Sequence, residues 1–126
     1  MKIIIAGCGK VGTVLVSALT QEGHDIVVID NDAEAISTIT NTHDIMSVCG
    51  DVTDCETLSE AGVDSARLFV SITNSDEVNM LSCLIARRMG ARHTIARVRK
   101  PEYSDHSLDF LRRQLELSVT VNPSFL

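Results

Sequence analysis

The sequence predicts an α/β fold: a Rossmann-type doubly wound, six-stranded parallel sheet with helices on both faces, forming a single domain over residues 1–126. Three observations predict it. Short apolar runs alternate with stretches of helical periodicity along the whole chain. The first apolar run leads straight into Gly7-Cys8-Gly9-Lys10-Val11-Gly12. The second apolar run is followed at once by an acid, Asp30.

The elements follow in order. Ile3–Ala6 is a continuous β-branched run of the kind buried on both faces of a sheet. Val11, Val14, Leu15, Ala18 and Leu19 recur at helical spacing, and Gly23 stops that helix. Asp25–Ile29 is a second strand, Ala33–Asn41 a helix, and Ile45–Cys49 a third strand ending at Gly50. Thr53 and Glu56 have the spacing of a capping box, which predicts a short helix from Asp54 to Ala61 before Gly62. Leu68–Ile72 is a fourth strand. Ser75–Met89 is a long helix with Asp76 and Glu77 in its first turn and Arg87 and Arg88 in its last, the order that suits the helix dipole, and Gly90 closes it. Thr94–Val98, a helix over Ser107–Leu115 and a strand over Ser118–Val121 complete the alternation.

Composition narrows the function. A chain of 126 residues holds one core and has no room for a separate catalytic domain. Its formal charge of −6 disfavours a nucleic-acid partner; Arg97, Arg99, Lys100 and the pair Arg112–Arg113 come nearest to a basic patch. Cys8, Cys49, Cys55 and Cys83 form no Cys-x-x-Cys pair, and His24, His43, His93 and His106 show no metal spacing. The opening apolar run breaks at Gly7, too short for a secretory segment or for direct membrane insertion, so free thiols point to the cytosol.

The glycine loop carries the chemistry. Placed between a strand and a helix, Gly7 allows a tight turn, Gly9 lets backbone approach a pyrophosphate, and Gly12 lets the helix pack closely on the sheet. The helix N-terminus then offers unpaired N–H groups and partial positive charge to phosphates. Asp30, eighteen positions after Gly12, is placed to accept hydrogen bonds from ribose hydroxyls and to repel a 2′-phosphate; this favours NAD(H), ATP or ADP over NADP. Asn31 and Asp32 adjoin it. Lys10 either meets a phosphate or stays in water. Cys8 is a space-filler or, less in keeping with its surroundings, a redox-sensing thiol at a helix N-terminus. Arg97 sits in a buried strand, where an arginine needs a partner.

Taken with the glycine loop and Asp30, three further segments complete a pattern: Gly50-Asp51-Val52-Thr53, Ile72-Thr73-Asn74-Ser75-Asp76-Glu77-Val78-Asn79 and Ile95-Ala96-Arg97-Val98-Arg99-Lys100-Pro101-Glu102-Tyr103, with Val121-Asn122-Pro123 beyond. The chain resembles the TrkA-N domain family, the nucleotide-binding domains of regulators of potassium conductance, over essentially its whole length. The resemblance implies a cytosolic regulatory subunit, a homodimer or higher homo-oligomer, that sits on a membrane-embedded potassium transporter, binds NAD(H) foremost or ATP/ADP, and converts nucleotide state into gating. It implies that Gly7, Gly9 and Gly12 form the phosphate loop and that Asp30 binds the ribose. It places Asp51 and Thr53 in the turn beside the adenine, with Val52 between them as a further candidate binding residue, Thr73 and Asn74 near the distal half of the ligand, and Arg97 near the phosphates or a partner subunit. Ser124 stands where many relatives carry Glu, which speaks against the metal-linked ATP arrangement. The end at Phe125-Leu126 implies an N-terminal fragment that lacks a C-terminal regulatory domain.

The alternative is a small NAD-dependent oxidoreductase. That reading requires a proton-transfer group beside a nicotinamide; Tyr103, the single tyrosine, is followed by Ser104-Asp105-His106-Ser107 with no lysine at reductase spacing, and no Gly-x-Ser-x-Gly elbow occurs. Asp76 and Glu77 are explained by helix-start electrostatics, and Asp51 by bracing a turn as readily as by binding. Val78, Met80, Leu81, Cys83, Leu84, Ile85 and Ala86 make the long helix apolar nearly all round, which predicts self-association through it, with Phe125-Leu126 as a second contact.

Overall fold

The computed structural model describes residues 1–103 and 105–121. The elements run β1 (Lys2–Ala6), α1 (Lys10–Gln21), β2 (Asp25–Asp30), α2 (Ala33–Thr42), β3 (Met46–Cys49), α3 (Cys55–Glu60), a 3-10 turn at Val63–Ser65, β4 (Leu68–Ser71), α4 (Asp76–Met89), β5 (His93–Arg97), α5 (Asp105–Gln114) and β6 (Val119–Val121). One parallel sheet holds them in the order β3-β2-β1-β4-β5-β6. The chain therefore builds outward from β1 in one direction, returns, and builds outward from β4 in the other. The crossovers leaving β1 and β4 run to opposite faces, which opens a crevice at the carboxyl ends of those two central strands.

Alternation along β1 explains why its isoleucines are consecutive. Ile3 and Ile5 face a core shared with Val16 of α1 and Ile39 of α2. Ile4 and Ala6 face the opposite core with Leu58 of α3, Phe69 of β4, and Met80 and Cys83 of α4. A central strand covered on both faces has no polar side to alternate with.

Three expectations are corrected. The buried face of α1 is not the one on which Val11 and Val14 lie; Val14 is 67% exposed, while Gly12 and Val16 are buried and Leu15 and Leu19 pack beside them. Gly12 sets that rotation, because contact with the strand-end turn is closest where no side chain intervenes. The capping box at Thr53 does not form. Asp54 caps α3 by accepting from the Glu56 amide, and Thr53 turns back to Asp51. The long helix α4 is not apolar all round: Met80, Cys83 and Ala86 are buried, but so are Asp76, Asn79 and Ser82, and Leu81 is exposed. The expectations resting on Ser104 and on Asn122 through Leu126 lie outside the described residues.

The strand-end turn after β1 is closely packed against the start of α1. Gly7 adopts φ +113°, and its amide donates to the Ile29 carbonyl at 2.8 Å. A Cβ on Gly12 would lie 2.2 Å from the Gly7 carbonyl oxygen, a backbone atom that has nowhere to go. Replacing Gly12 with alanine is therefore expected to cost about 3 kcal/mol, the upper range for overpacking, and to lower the thermal midpoint on the order of 10 °C. Calorimetry of the two proteins checks this; equal midpoints would mean that α1 shifts freely on the sheet.

Candidate functional site

A cleft of about 710 Å³ opens at the carboxyl edge of the sheet, where the loops after β1, β2, β3 and β4 and the end of β5 converge. Gly7, Cys8, Gly9, Lys10, Val11, Asp30, Asn31, Asp51, Val52, Thr73, Asn74 and Arg97 all line it. Gly12 lies beneath, against Gly7. Asp32, Ala35, Gly50, Ile72, Ser75 and Val78 complete the walls.

The floor is the glycine loop and the N-terminus of α1. Gly9 caps this helix without any side-chain hydrogen bond, and no acidic residue stands in its first turn. Each of the other four α-helices has an acid there, and α2, α3 and α4 are capped by the side chains of Asp32, Asp54 and Ser75. The positive end of α1 is thus left to whatever occupies the cleft. Gly9 itself has φ −71°, open to any residue, and a Cβ there would meet nothing within 4 Å. The fold requires glycine at 7 and 12; at 9 it does not.

Asp30 ties this floor to the next strand. Its Oδ2 accepts from the Cys8 amide at 2.7 Å and its Oδ1 from the Asp32 amide at 2.9 Å. Each carboxylate oxygen keeps a further acceptor direction. Asp51 accepts from both the amide and the hydroxyl of Thr53, at 2.8 and 2.7 Å, and these bonds hold its carboxyl below the usual range. Asp51 therefore braces its turn while standing at the cleft edge.

The distal wall is organised by two residues to which the sequence reading gave no such role. Asn79 is fully buried on α4. Its Oδ1 accepts from the Thr73 amide at 2.8 Å and the Thr73 hydroxyl at 2.6 Å, and its Nδ2 donates to the carbonyls of Thr73 at 3.1 Å and Arg97 at 2.9 Å. It thereby fastens the end of β4 to the end of β5. Asp76, expected to serve only the helix dipole, is 2% exposed, and its Oδ2 accepts from the amides of Arg99 and Lys100 at 2.8 and 2.7 Å. The signal was present in the spacing. Asp76, Asn79, Met80 and Cys83 fall at i, i+3, i+4 and i+7, so two polar residues share the face of two core residues.

Arg97 is 7% exposed. Its Nη1 donates to the Ile72 carbonyl at 3.3 Å, and its Nε has no partner among the described residues. Burial, then neighbouring Arg99, pull its pKa down. Tyr103 is not among the residues that line the cleft. Its hydroxyl donates to Glu77 at 2.7 Å, beside the Lys100–Glu77 ion pair at 2.8 Å, and the bond to Glu77 raises its pKa. Cys8 is buried, and desolvation, followed by the charges of Asp30 and Asp32, pushes its thiol up to about 12.

The family model of the TrkA-N domain matches residues 3–123. The Trk system potassium uptake protein TrkA homolog of Methanothermobacter thermautotrophicus is 36% identical over 105 residues, which is 83% of this chain and 49% of that protein. This chain thus spans about half of that relative. The TrkA-N domain of inner membrane protein ybaL from Escherichia coli superposes with a TM-score of 0.83 at 18% identity, covering 98% of this chain and 88% of that one. The GsuK channel bound to NAD gives a TM-score of 0.78 at 23% identity over 95% of this chain and 21% of that one.

The thiols are expected to divide into two pairs. Cys49 and Cys55 are exposed; Cys8 and Cys83 are buried, both pushed up to about 12. At pH 8 a thiol with a pKa of about 12 is ionised roughly one part in 10⁴, and the thiolate is the reactive form. Titration with a disulfide reagent should modify two cysteines quickly and the others only after denaturation. Labelling of Cys8 as fast as Cys49, read by peptide mass spectrometry, would restore the redox-sensor reading.

Proposed function

The chain belongs to the TrkA-N domain family, and from that membership and the geometry of the cleft we propose that it is an adenine-nucleotide-binding domain that regulates potassium uptake. In this reading it works in the cytosol, held at the inner face of the membrane by a transporter partner, and performs no chemistry on the nucleotide. The observation that carries the proposal is Gly9. A residue that the fold leaves free to bear a side chain, at the bare N-terminus of α1, is glycine because something must approach the backbone there. A pyrophosphate fits that requirement, with the ribose hydroxyls bound by the free acceptor directions of Asp30, and Asp51 and Val52 at the adenine side. The potassium uptake protein named above and the channel bound to NAD support the setting. Among the described residues no helix is long and apolar enough to cross a membrane. Self-association through α4, where Leu81 is 48% exposed, belongs to the same proposal.

Transmission would run through α4. Its first turns hold the distal wall through Asn79 and the segment after β5 through Asp76 and Glu77. A ligand contact at Thr73 or Asn74 thus acts on the same helix turn that anchors Arg99, Lys100 and Tyr103. Such coupling is worth typically about 1–3 kcal/mol, and only a ligand that favours one arrangement can shift it.

Two outcomes test the proposal. Gly9→Ala should leave the thermal midpoint nearly unchanged yet weaken ADP or NADH binding at least about ten-fold in titration calorimetry, on the order of one charged hydrogen bond. Undiminished binding in that variant would remove the observation on which the reading rests. NADP should bind at least about ten-fold more weakly than NADH, because Asp30 repels the 2′-phosphate. With the intact protein and its transporter reconstituted in vesicles, potassium flux should differ between nucleotides; identical flux with every nucleotide, while binding is demonstrated, would refute the regulatory role.

A further inference from the structure

The amino edge of the sheet, opposite the cleft, carries a row of cations. β1 begins at Lys2, β4 is entered from Arg67 and β5 from Arg92. Main-chain bonds set these strand starts side by side. The Arg67 amide donates to the Lys2 carbonyl at 3.0 Å, the His93 amide to the Arg67 carbonyl at 3.1 Å and the Arg92 amide to the Ala66 carbonyl at 3.1 Å. β1, β4 and β5 are neighbours in the sheet, so the row repeats at the strand pitch of about 4.8 Å. Arg87, in the last turn of α4, joins it by donating to the Arg92 carbonyl. Among the described residues Lys2, Arg67, Arg87 and Arg92 form no ion pair, and the Lys2 ammonium donates to the neutral Ser65 hydroxyl at 3.3 Å. Like charges on neighbouring strands repel one another, and a surface of opposite sign relieves that repulsion.

The row adjoins an apolar hollow. A cavity of about 270 Å³ at the same edge is lined by Met1, Leu68 and Ile95 together with Arg67, His93 and Ser118. Met1 is 54% exposed. Hydrocarbon suits the first three residues, and a phosphate suits the guanidinium beside them. A free phosphate would leave the hollow unused, and so would an acidic protein surface. The charge pattern also sets an orientation. The chain as a whole carries −6, but the cleft acids Asp30, Asp32 and Asp51 belong to the opposite edge. β5 alone runs five residues from His93 to Arg97, roughly 15 Å, which is nearly twice the Debye length of about 8 Å at physiological salt. The cleft acids are therefore largely screened from anything that meets the row. At the amino edge itself, Asp25 and Asp44 stand at the start of β2 and before β3, and Asp64, in the 3-10 turn against Gly90, offsets one charge of the row. The basic sector is thus confined to β1, β4 and β5.

We propose that this sector is a docking site for anionic phospholipid of the membrane, with a head-group phosphate on Arg67, neighbouring head groups on Arg87 and Arg92, and the glyceryl and upper methylene groups against Leu68 and Ile95. The chain would then lie with its amino edge on the bilayer and its cleft turned toward the aqueous side. This deepens the membrane setting given above and does not depend on the nucleotide.

Co-sedimentation of the full chain with lipid vesicles tests this. Vesicles of phosphatidylcholine mixed with phosphatidylglycerol should retain the chain at least about ten-fold more strongly than phosphatidylcholine alone, and raising salt from about 0.1 M to about 1 M should remove the difference. Arg67→Gln combined with Arg92→Gln should weaken retention about twenty-five-fold, at about five-fold for each arginine near an anionic surface. Both residues are exposed, so the thermal midpoint of that variant should stay in place. Arg99→Gln combined with Lys100→Gln removes the same charge from the opposite edge and should leave retention within about three-fold. Monomeric short-chain phosphatidylglycerol should shield the His93 ring from an acylating reagent, read by peptide mass spectrometry, where glycerol phosphate does not. Equal retention by neutral vesicles overturns the proposal, as does undiminished retention of the Arg67→Gln, Arg92→Gln protein or an equal loss in both double variants. Equal shielding by glycerol phosphate overturns it as well and makes the sector a site for free phosphate. A chain that no vesicle retains overturns it and leaves an acidic protein surface as what the row meets. None of these outcomes bears on nucleotide affinity, so this proposal and the nucleotide reading fail separately.

Discussion

The carboxylate of Asp30 is the interaction on which the site depends. One oxygen holds the amide of Cys8 and the other the amide of Asp32, so one side chain joins the turn after β1 to the turn after β2. Without it the Cys8 amide would lose its acceptor, and the Gly7 amide on Ile29 would remain as the loop's bond to β2. Hydrogen bonds to a charged acceptor are among the stronger ones, and the one to Cys8 is partly buried. The direction of the α1 dipole, the depth of the cleft floor and the placement of any ribose all follow from that clamp.

The opposite wall is built on the same physical basis by a different residue. A neutral amide is the side chain that can both accept from Thr73 and donate to the carbonyls of Thr73 and Arg97. Asn79 therefore satisfies main-chain groups of both polarities at a strand end, where the sheet ladder stops and buried N–H and C=O groups would otherwise be left unpaired. Asp76, one turn earlier, can only accept, and its Oδ2 takes two amides.

Most of the architecture was legible because it depends on periodicity and on punctuation. The isoleucines of β1, the apolar runs of β2 and β4, and the glycines after α1 and α4 mark elements whose identity survives an error of a residue or two at their ends. The cleft was legible at the glycine loop and Asp30 for the same reason: the motif names both its residues and the strand and helix that must flank them. What escaped was competition among neighbours. Thr53 and Glu56 satisfy the spacing of a cap, but Asp51 and Asp54 on either side are stronger acceptors, and they take the threonine and the helix amide respectively. Asp76 matched the electrostatics of a helix start so well that its burial was masked. Val11 and Val14 fit a helical stripe, yet the contact at Gly12, visible only once the turn is closed, turns these two away from the sheet while Leu15 and Leu19 of the same stripe stay packed on it.

Nearly every bond that shapes the cleft ends on the main chain. Asp30 grips the amides at 8 and 32, Asp51 the amide at 53, Asp76 the amides at 99 and 100, and Asn79 the amide at 73 and two carbonyls. Since any residue but proline presents the same amide, these bonds do not depend on the side chains of Arg99 and Lys100. The scaffold can then exchange them, altering the charge and shape its rim presents to a ligand or a neighbour, while the frame beneath stays as it is. In evolutionary terms this separates robustness from adaptation: a few acceptors carry the first, and a rim whose side chains the frame does not use leaves room for the second.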